Sequence, residues 1–184
     1  MAGKWLPQYL NKMAESALIT ITDVQTYRRV DPKFDSNRFA VFEQETRRKN
    51  LKGLLGDALY YAFMADSRNA GIYAELLNGK SYSYNAQTIQ YYGLKPMLCY
   101  WWLTIAARES EMFQANIGAI QLVNNTQQMF ETAKEKERIA AGYMETAQGY
   151  ANDLIKFLNT NAATYPLWEG KGEKNPVNFV SFRV

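Results

Sequence analysis

Histidine is absent from the 184 residues, and with it the side chain whose charge changes most readily near neutral pH. That absence excludes Ser-His-Asp and Cys-His nucleophile systems and every His-based metal site. A single cysteine, Cys99, excludes a disulfide framework within the chain and any Cys-cluster zinc or iron–sulfur centre. A strong charge of one sign is missing too. The 21 basic and 18 acidic residues leave a net +3, too little to indicate a general nucleic-acid or membrane binder. The longest apolar run, MLCYWWLTIAA at 97–107, falls well short of the roughly 20 residues that span a bilayer. The first stretch, MAGKWLPQYLNKMAES, lacks a continuous apolar segment and a small-residue cleavage site, so no secretory leader is expected. No GxxxxGK[ST] or GxGxxG loop is present to cradle a nucleotide phosphate, and no repeat of 20–50 residues suggests a solenoid. These absences predict a soluble protein of a reducing compartment, with no membrane contact, no cofactor and no metal.

What the sequence does have is tyrosine. There are 13 Tyr, 9 Phe and 4 Trp, 14% of the chain, within a globular balance of 47% hydrophobic and 21% charged residues. Tyrosine combines a large apolar body with a polar tip, which suits both cores and wet protein–protein interfaces. In a chain without catalytic histidine, that abundance points to contact more than to chemistry. The length fits one domain with tails.

The periodicity predicts a mostly α fold: a helical bundle with a long C-terminal helix, a small β-hairpin or loop insertion, and an extended C-terminal arm. Leu6, Tyr9, Leu10, Met13 and Ala17 recur at helical spacing, followed by an extended ALITIT. Thr22 reads as the N-cap of a short turn TDVQTY, and RRVDPKFD as a turn, since Asp31 precedes Pro32. Asp35 or Ser36 caps a helix with Phe39, Phe42, Thr46, Asn50 and Leu54 on one face, and Leu51, Leu55, Leu59 and Phe63 beside it. Gly53 and Gly56 inside that helix mark a kink or a close approach of another backbone.

GIYAELLNG reads as a short helix ended by Gly79, and KSYSYNAQTIQYYG as a hairpin turning near Asn85. Gly93–Gln114, apolar nearly all round, reads as a buried central helix. ANIGAIQLVNN is a loop or extended piece, and a long helix runs from Asn125 or Thr126 to about Asn161. After a polar linker, GKGEKNP, the strand-like VNFVSFRV has no evident partner of its own. Such segments add to an exposed sheet edge, or lie in a groove on a neighbouring chain. The expected organisation is an N-terminal extension at 1–16, a helical domain at 17–168 and the arm at 169–184.

Candidate chemistry is sparse. Glu43/Glu45 and Glu109/Glu111 sit two apart, on different helix faces. Glu131 and Glu135 share a face, but amid the charged run Lys134 to Arg138. Cys99 reads as a core thiol. Between positions 28 and 52 eight basic residues meet four acidic ones, and Arg47, Arg48 and Lys49 are the candidates for phosphate contact. A DNA-binding or packaging accessory using that segment is therefore one alternative, and a ligand-binding bundle around Trp101 and Trp102 another.

One resemblance covers most of the chain, from Ala17 to Trp168. The ordered segments LITITDVQTY, LKGLLGDALYYAF, IYAELLNGKSY, YYGLKPMLCYWWLTIAAR, NIGAIQLVNN and LNTNAATYPLW resemble the small head–tail connector (adaptor) proteins of tailed bacteriophages. The form concerned is that of Bacteroides-type hosts, including crAss-like phages. The resemblance implies a non-enzymatic homo-oligomer, typically a ring of twelve copies, in the virion neck, assembled in the host cytoplasm. Such a ring docks on the portal, extends the channel for passing DNA without sequence specificity, and receives the next tail protein. Connectors of this kind also use terminal segments to grip the portal. For contact with neighbours, the candidates are Tyr82, Tyr84, Tyr91 and Tyr92 in the hairpin region and Val177, Phe179 and Phe182 in the arm.

Overall fold

A computed structural model describes residues 17–30, 34–65, 71–109 and 133–170. The expected helix before Ala17, the 115–125 segment, the start of the long helix and the arm with Val177, Phe179 and Phe182 lie outside those residues.

The first helix, α1 (Ile21–Tyr27), begins two residues earlier than the β-branched run ALITIT suggests. Its N-cap is Thr20, not Thr22. The Thr20 hydroxyl accepts the Asp23 amide at 3.2 Å, and the Asp23 carboxylate accepts the Thr20 amide at 2.8 Å. This reciprocal capping box satisfies two orphan donors, and that outweighs the extended preference of Ile21 and Thr22. Asp35 caps α2 (Ser36–Glu45), accepting the Arg38 amide at 2.7 Å.

α2 does not run on as an ordinary helix. Thr46–Leu51 is a π-helix, followed by α3 (Lys52–Leu55), a break at Gly56 and α4 (Asp57–Ala65). The buried positions explain the π segment: Phe42 and Glu43, Thr46 and Arg47, then Leu51, then Leu54 and Leu55. A repeat near four residues drifts from a 3.6-residue helix by about 40° per turn, and π turns absorb that drift. Gly56 has φ +77°, which fixes the kink. No other backbone comes close at Gly53 or Gly56, because a Cβ added at either would meet nothing within 4 Å.

The close approach lies elsewhere. α5 (Gly71–Asn78) leads through Gly79 into β1 (Lys80–Tyr84), which pairs antiparallel with β2 (Gln87–Tyr91) before Gly93 opens α6 (Leu94–Glu109). Gly79 and Gly93 have φ of +99° and +86° and sit back to back. A Cβ on Gly79 would lie 2.4 Å from the Tyr91 carbonyl oxygen, and one on Gly93 2.5 Å from that of Leu77. Only glycine fits either side of this neck. At the far end the turn residues Asn85 and Ala86 have φ of 50° and 61°, the signature of a type I′ turn, which matches the strands' own twist.

α6 is the central helix. Twelve of its sixteen residues are buried, and α1, α2, the π segment, α5 and α7 (Ala133–Thr160) all pack on it. α7 offers it a stripe of Ala140, Tyr143, Ala147, Ala151, Leu154 and Leu158, in steps of three and four. Small side chains on α7 leave room for the large rings of α6, with Trp101 and Trp102 fully buried. Trp102 also meets Phe34, Phe39 and Phe42, with centroids 5.2, 5.0 and 6.0 Å away. The fold is thus mostly α, with a long C-terminal helix and one small hairpin. Among the described residues, no helix is long and apolar enough to cross a membrane.

Candidate protein interface

The hairpin register sorts its tyrosines. Lys80↔Tyr91, Tyr82↔Ile89 and Tyr84↔Gln87 share one face, while Ser81↔Gln90 and Ser83↔Thr88 share the other. The first face lies against α7 and the second is exposed. Tyr91 is buried, stacks on Phe157 at 4.3 Å with an interplanar angle of 11°, and donates its hydroxyl to the Leu76 carbonyl at 2.9 Å. Tyr82 is buried and meets Phe157 edge-on at 5.3 Å. The expectation that these rings stand clear of the core is therefore corrected for Tyr82 and Tyr91. Both are consumed in the subunit's own packing, because the face they share is the one α7 covers. Tyr84 is half-buried, with the Lys156 ammonium 4.5 Å from its ring centroid. Tyr92, one residue past β2, remains 59% exposed.

Tyr92 is the outermost member of a tyrosine chain that runs inward from the surface to the buried Tyr100 and Tyr143. It meets Tyr150 of α7 edge-on at 6.3 Å, and Tyr150 stacks against Tyr100 of α6 at 6.0 Å. Tyr100 in turn touches Tyr143 at 6.2 Å and Tyr27 of α1 at 5.8 Å. The exposed guanidinium of Arg28 lies over the Tyr100 and Tyr143 rings, 5.4 and 5.9 Å from their centroids. Burial raises the phenols of Tyr27, Tyr143 and Tyr150 above their ordinary value, so all stay neutral at physiological pH. Neutral, rigid rings capped by an arginine are suited to recognition, since Tyr and Arg carry much of the binding energy at protein interfaces.

Sequence reasoning placed Tyr143 and Tyr150 only as apolar positions of a helix, and Arg28 only within a basic count. Their seven-residue spacing on one helix was the available signal. What joins them, the side-by-side packing of α6 and α7 and the arrival of α1, is tertiary.

The basic candidates separate. Arg47 is buried, and its Nε donates to Glu43 Oε2 at 2.8 Å, while Glu43 Oε1 accepts the Leu18 amide at 2.8 Å. Arg47 is thus corrected from a phosphate ligand to half of an internal ion pair that pins the chain before α1 to α2. The adjacent acid four residues back is the reason. Lys49 is exposed and paired with Glu45, and Arg48 is exposed. Trp101 and Trp102 are core residues, and Cys99 is buried, with its thiol pushed well above its ordinary range. Among the described residues no group of three or more Cys, Asp or Glu stands together as a metal ion would require.

No curated protein and no solved structure matches the chain. Residues 51–177, from the end of the π segment through the hairpin, α6 and α7, match a family of unknown function, DUF6712, and the chain belongs to that family.

Proposed function

We propose that the chain is a ring subunit, a head–tail connector of a tailed phage that docks on the portal, extends the DNA channel and receives the next tail component. The observation that carries this reading is the tyrosine–arginine patch of Tyr92, Tyr150, Tyr100 and Arg28. It draws on three helices and the end of the hairpin, and its outer ring is exposed. A subunit in a closed ring needs two different surfaces that fit each other, and rigid aromatic anchors beside an arginine suit one of them. The order of sequence segments shared with the connectors supports the same role. In this reading the chain catalyses nothing, and its location is the virion neck. DNA passes without base-specific contact, and Arg48 and Lys49 serve at most as general positive charge.

The test is the native mass of the full-length protein, alone and then with the portal of the same phage. A uniform high-order ring, either free or formed only on the portal, is the expected result. A monomer or dimer indifferent to the portal overturns the proposal.

A further inference from the structure

The two-stranded sheet leaves an edge open on each strand among the described residues. The register tells which backbone groups face out. The two-residue turn Asn85–Ala86 makes Tyr84↔Gln87, Tyr82↔Ile89 and Lys80↔Tyr91 the hydrogen-bonded pairs, so the amide groups of Thr88 and Gln90 point away from β1. Proteins usually blunt such an edge with a charge, a proline or a bulge. On β1 the edge begins at Lys80, which is ion-paired with Glu75 at 2.9 Å. β2, Gln87–Tyr91, contains no charged residue and no proline, and it pairs without a bulge. Among the described residues, none of these devices protects its edge. It also runs directly into Tyr92, whose exposed ring stands beside Tyr150.

The same chain carries a segment suited to that edge. Val177–Val184, VNFVSFRV, is rich in valine and phenylalanine and contains no proline; as a strand it puts Val177, Phe179, Ser181 and Arg183 on one face and Asn178, Val180 and Phe182 on the other. It follows Gly170 by a six-residue linker, 171–176, that reaches about 20 Å when extended. We infer that Val177–Val184 of one subunit adds as a third strand to the outer edge of β2 in the next subunit, bringing Phe179 or Phe182 to Tyr92. This rests on the ring reading above. A strand given by each copy and received by the next is a head-to-tail contact, the kind that closes a ring. Backbone pairing supplies affinity, and the exposed Tyr92 ring at the end of β2 sets the register.

Mixed assembly tests this. Subunits carrying only Gln90→Cys are combined with subunits carrying a single cysteine at 179, 180, 181 or 182, so that any bond between the two kinds joins two chains. The buried Cys99 thiol does not compete. Strand pairing predicts bonds at alternate positions, 179 and 181 or else 180 and 182, on the order of ten-fold above the intervening ones. A second variant, Thr88→Pro, removes an outward amide without touching the hairpin's own ladder. It should keep the subunit's melting temperature, abolish the bonds, and weaken assembly on the order of a hundred-fold. Rings of full mass with no such bond, or with bonds at every position, overturn this inference and leave the ring reading standing. Absence of any high-order assembly, with or without the portal, overturns both.

Discussion

Two clusters of tyrosine meet at the hairpin's end, both against α7, and they use the same residue differently. The inner cluster, Tyr82, Tyr91 and Tyr165 around Phe157, is buried, and two of its phenols are anchored by hydrogen bonds. Tyr91 donates to the Leu76 carbonyl and Tyr165 to the Ile72 carbonyl, each at 2.9 Å, which ties the hairpin and the segment after α7 to α5. The outer cluster, Tyr92, Tyr150 and Tyr100 under Arg28, is held by ring and guanidinium contacts and ends in an exposed ring. One is mortar for the subunit; the other carries its packing out to the surface at Tyr92. The two clusters part between adjacent residues: Tyr91 ends β2 and stacks on Phe157, while Tyr92, one past the strand, meets Tyr150 and stays 59% exposed.

The sharpest way to break this comparison is to damage the inner cluster. Phe157→Ala removes the ring that Tyr82, Tyr91 and Tyr165 all touch, and about 3–5 kcal/mol of stability should be lost in chemical denaturation. Gly93→Ala, which would place a Cβ 2.5 Å from the Leu77 carbonyl oxygen at positive φ, should cost roughly 2–4 kcal/mol. A loss under half a kcal/mol would mean that the neck between α5 and α6 is not tight. In the outer cluster the sign of the result reverses. Tyr92→Ser should leave unfolding within about 0.5 kcal/mol of the parent, yet weaken subunit association by about 2 kcal/mol, near thirty-fold, in sedimentation.

Smaller effects sharpen the contrast. Tyr91→Phe keeps the stack but abandons the Leu76 carbonyl, a loss of about 1 kcal/mol. It also changes the pH dependence. Burial pushes the Tyr91 phenol well above its ordinary 10.0, with the charges of Tyr165 and Asp153 adding in the same direction. The unfolded phenol therefore ionises first as pH rises. Its contribution is fully present below pH about 10 and is lost as pH climbs towards the folded value. Denaturation curves from pH 9 to 11 should fall less steeply for Tyr91→Phe than for the parent, and parallel slopes would contradict that assignment. Smallest of all, Ala86→Gly relieves a left-handed φ of 61° and should raise stability by about 0.5–1 kcal/mol.

Much of the fold was legible because it is written in periods. The 3.6-residue pattern gave α7, a run apolar nearly all round gave α6, the alternation in KSYSYNAQTIQY gave the hairpin, and Asn85 marked its turn. Elements governed by a single local bond were less legible. ALITIT reads as extended until the Thr20–Asp23 box is recognised, and the helix after Ser36 reads as continuous until its four-residue repeat is seen to need π turns. The candidate site was the least legible. Alternation separates the two faces of a hairpin without saying which one a helix will cover, so Tyr91 and Tyr92 looked equivalent. RRK looked like a phosphate contact because the sequence lists charges, whereas the fold pairs Arg47 with Glu43 and withdraws both from solvent. The outer patch joins residues from 27 to 150, and no local pattern links them.

The most direct test of the division between mortar and surface is the native mass of Tyr92→Ser beside the parent protein, each alone and with the portal, together with their melting temperatures. The account predicts a high-order ring for the parent and a folded, equally stable monomer for the variant. Rings of the same mass and occupancy from both would contradict it.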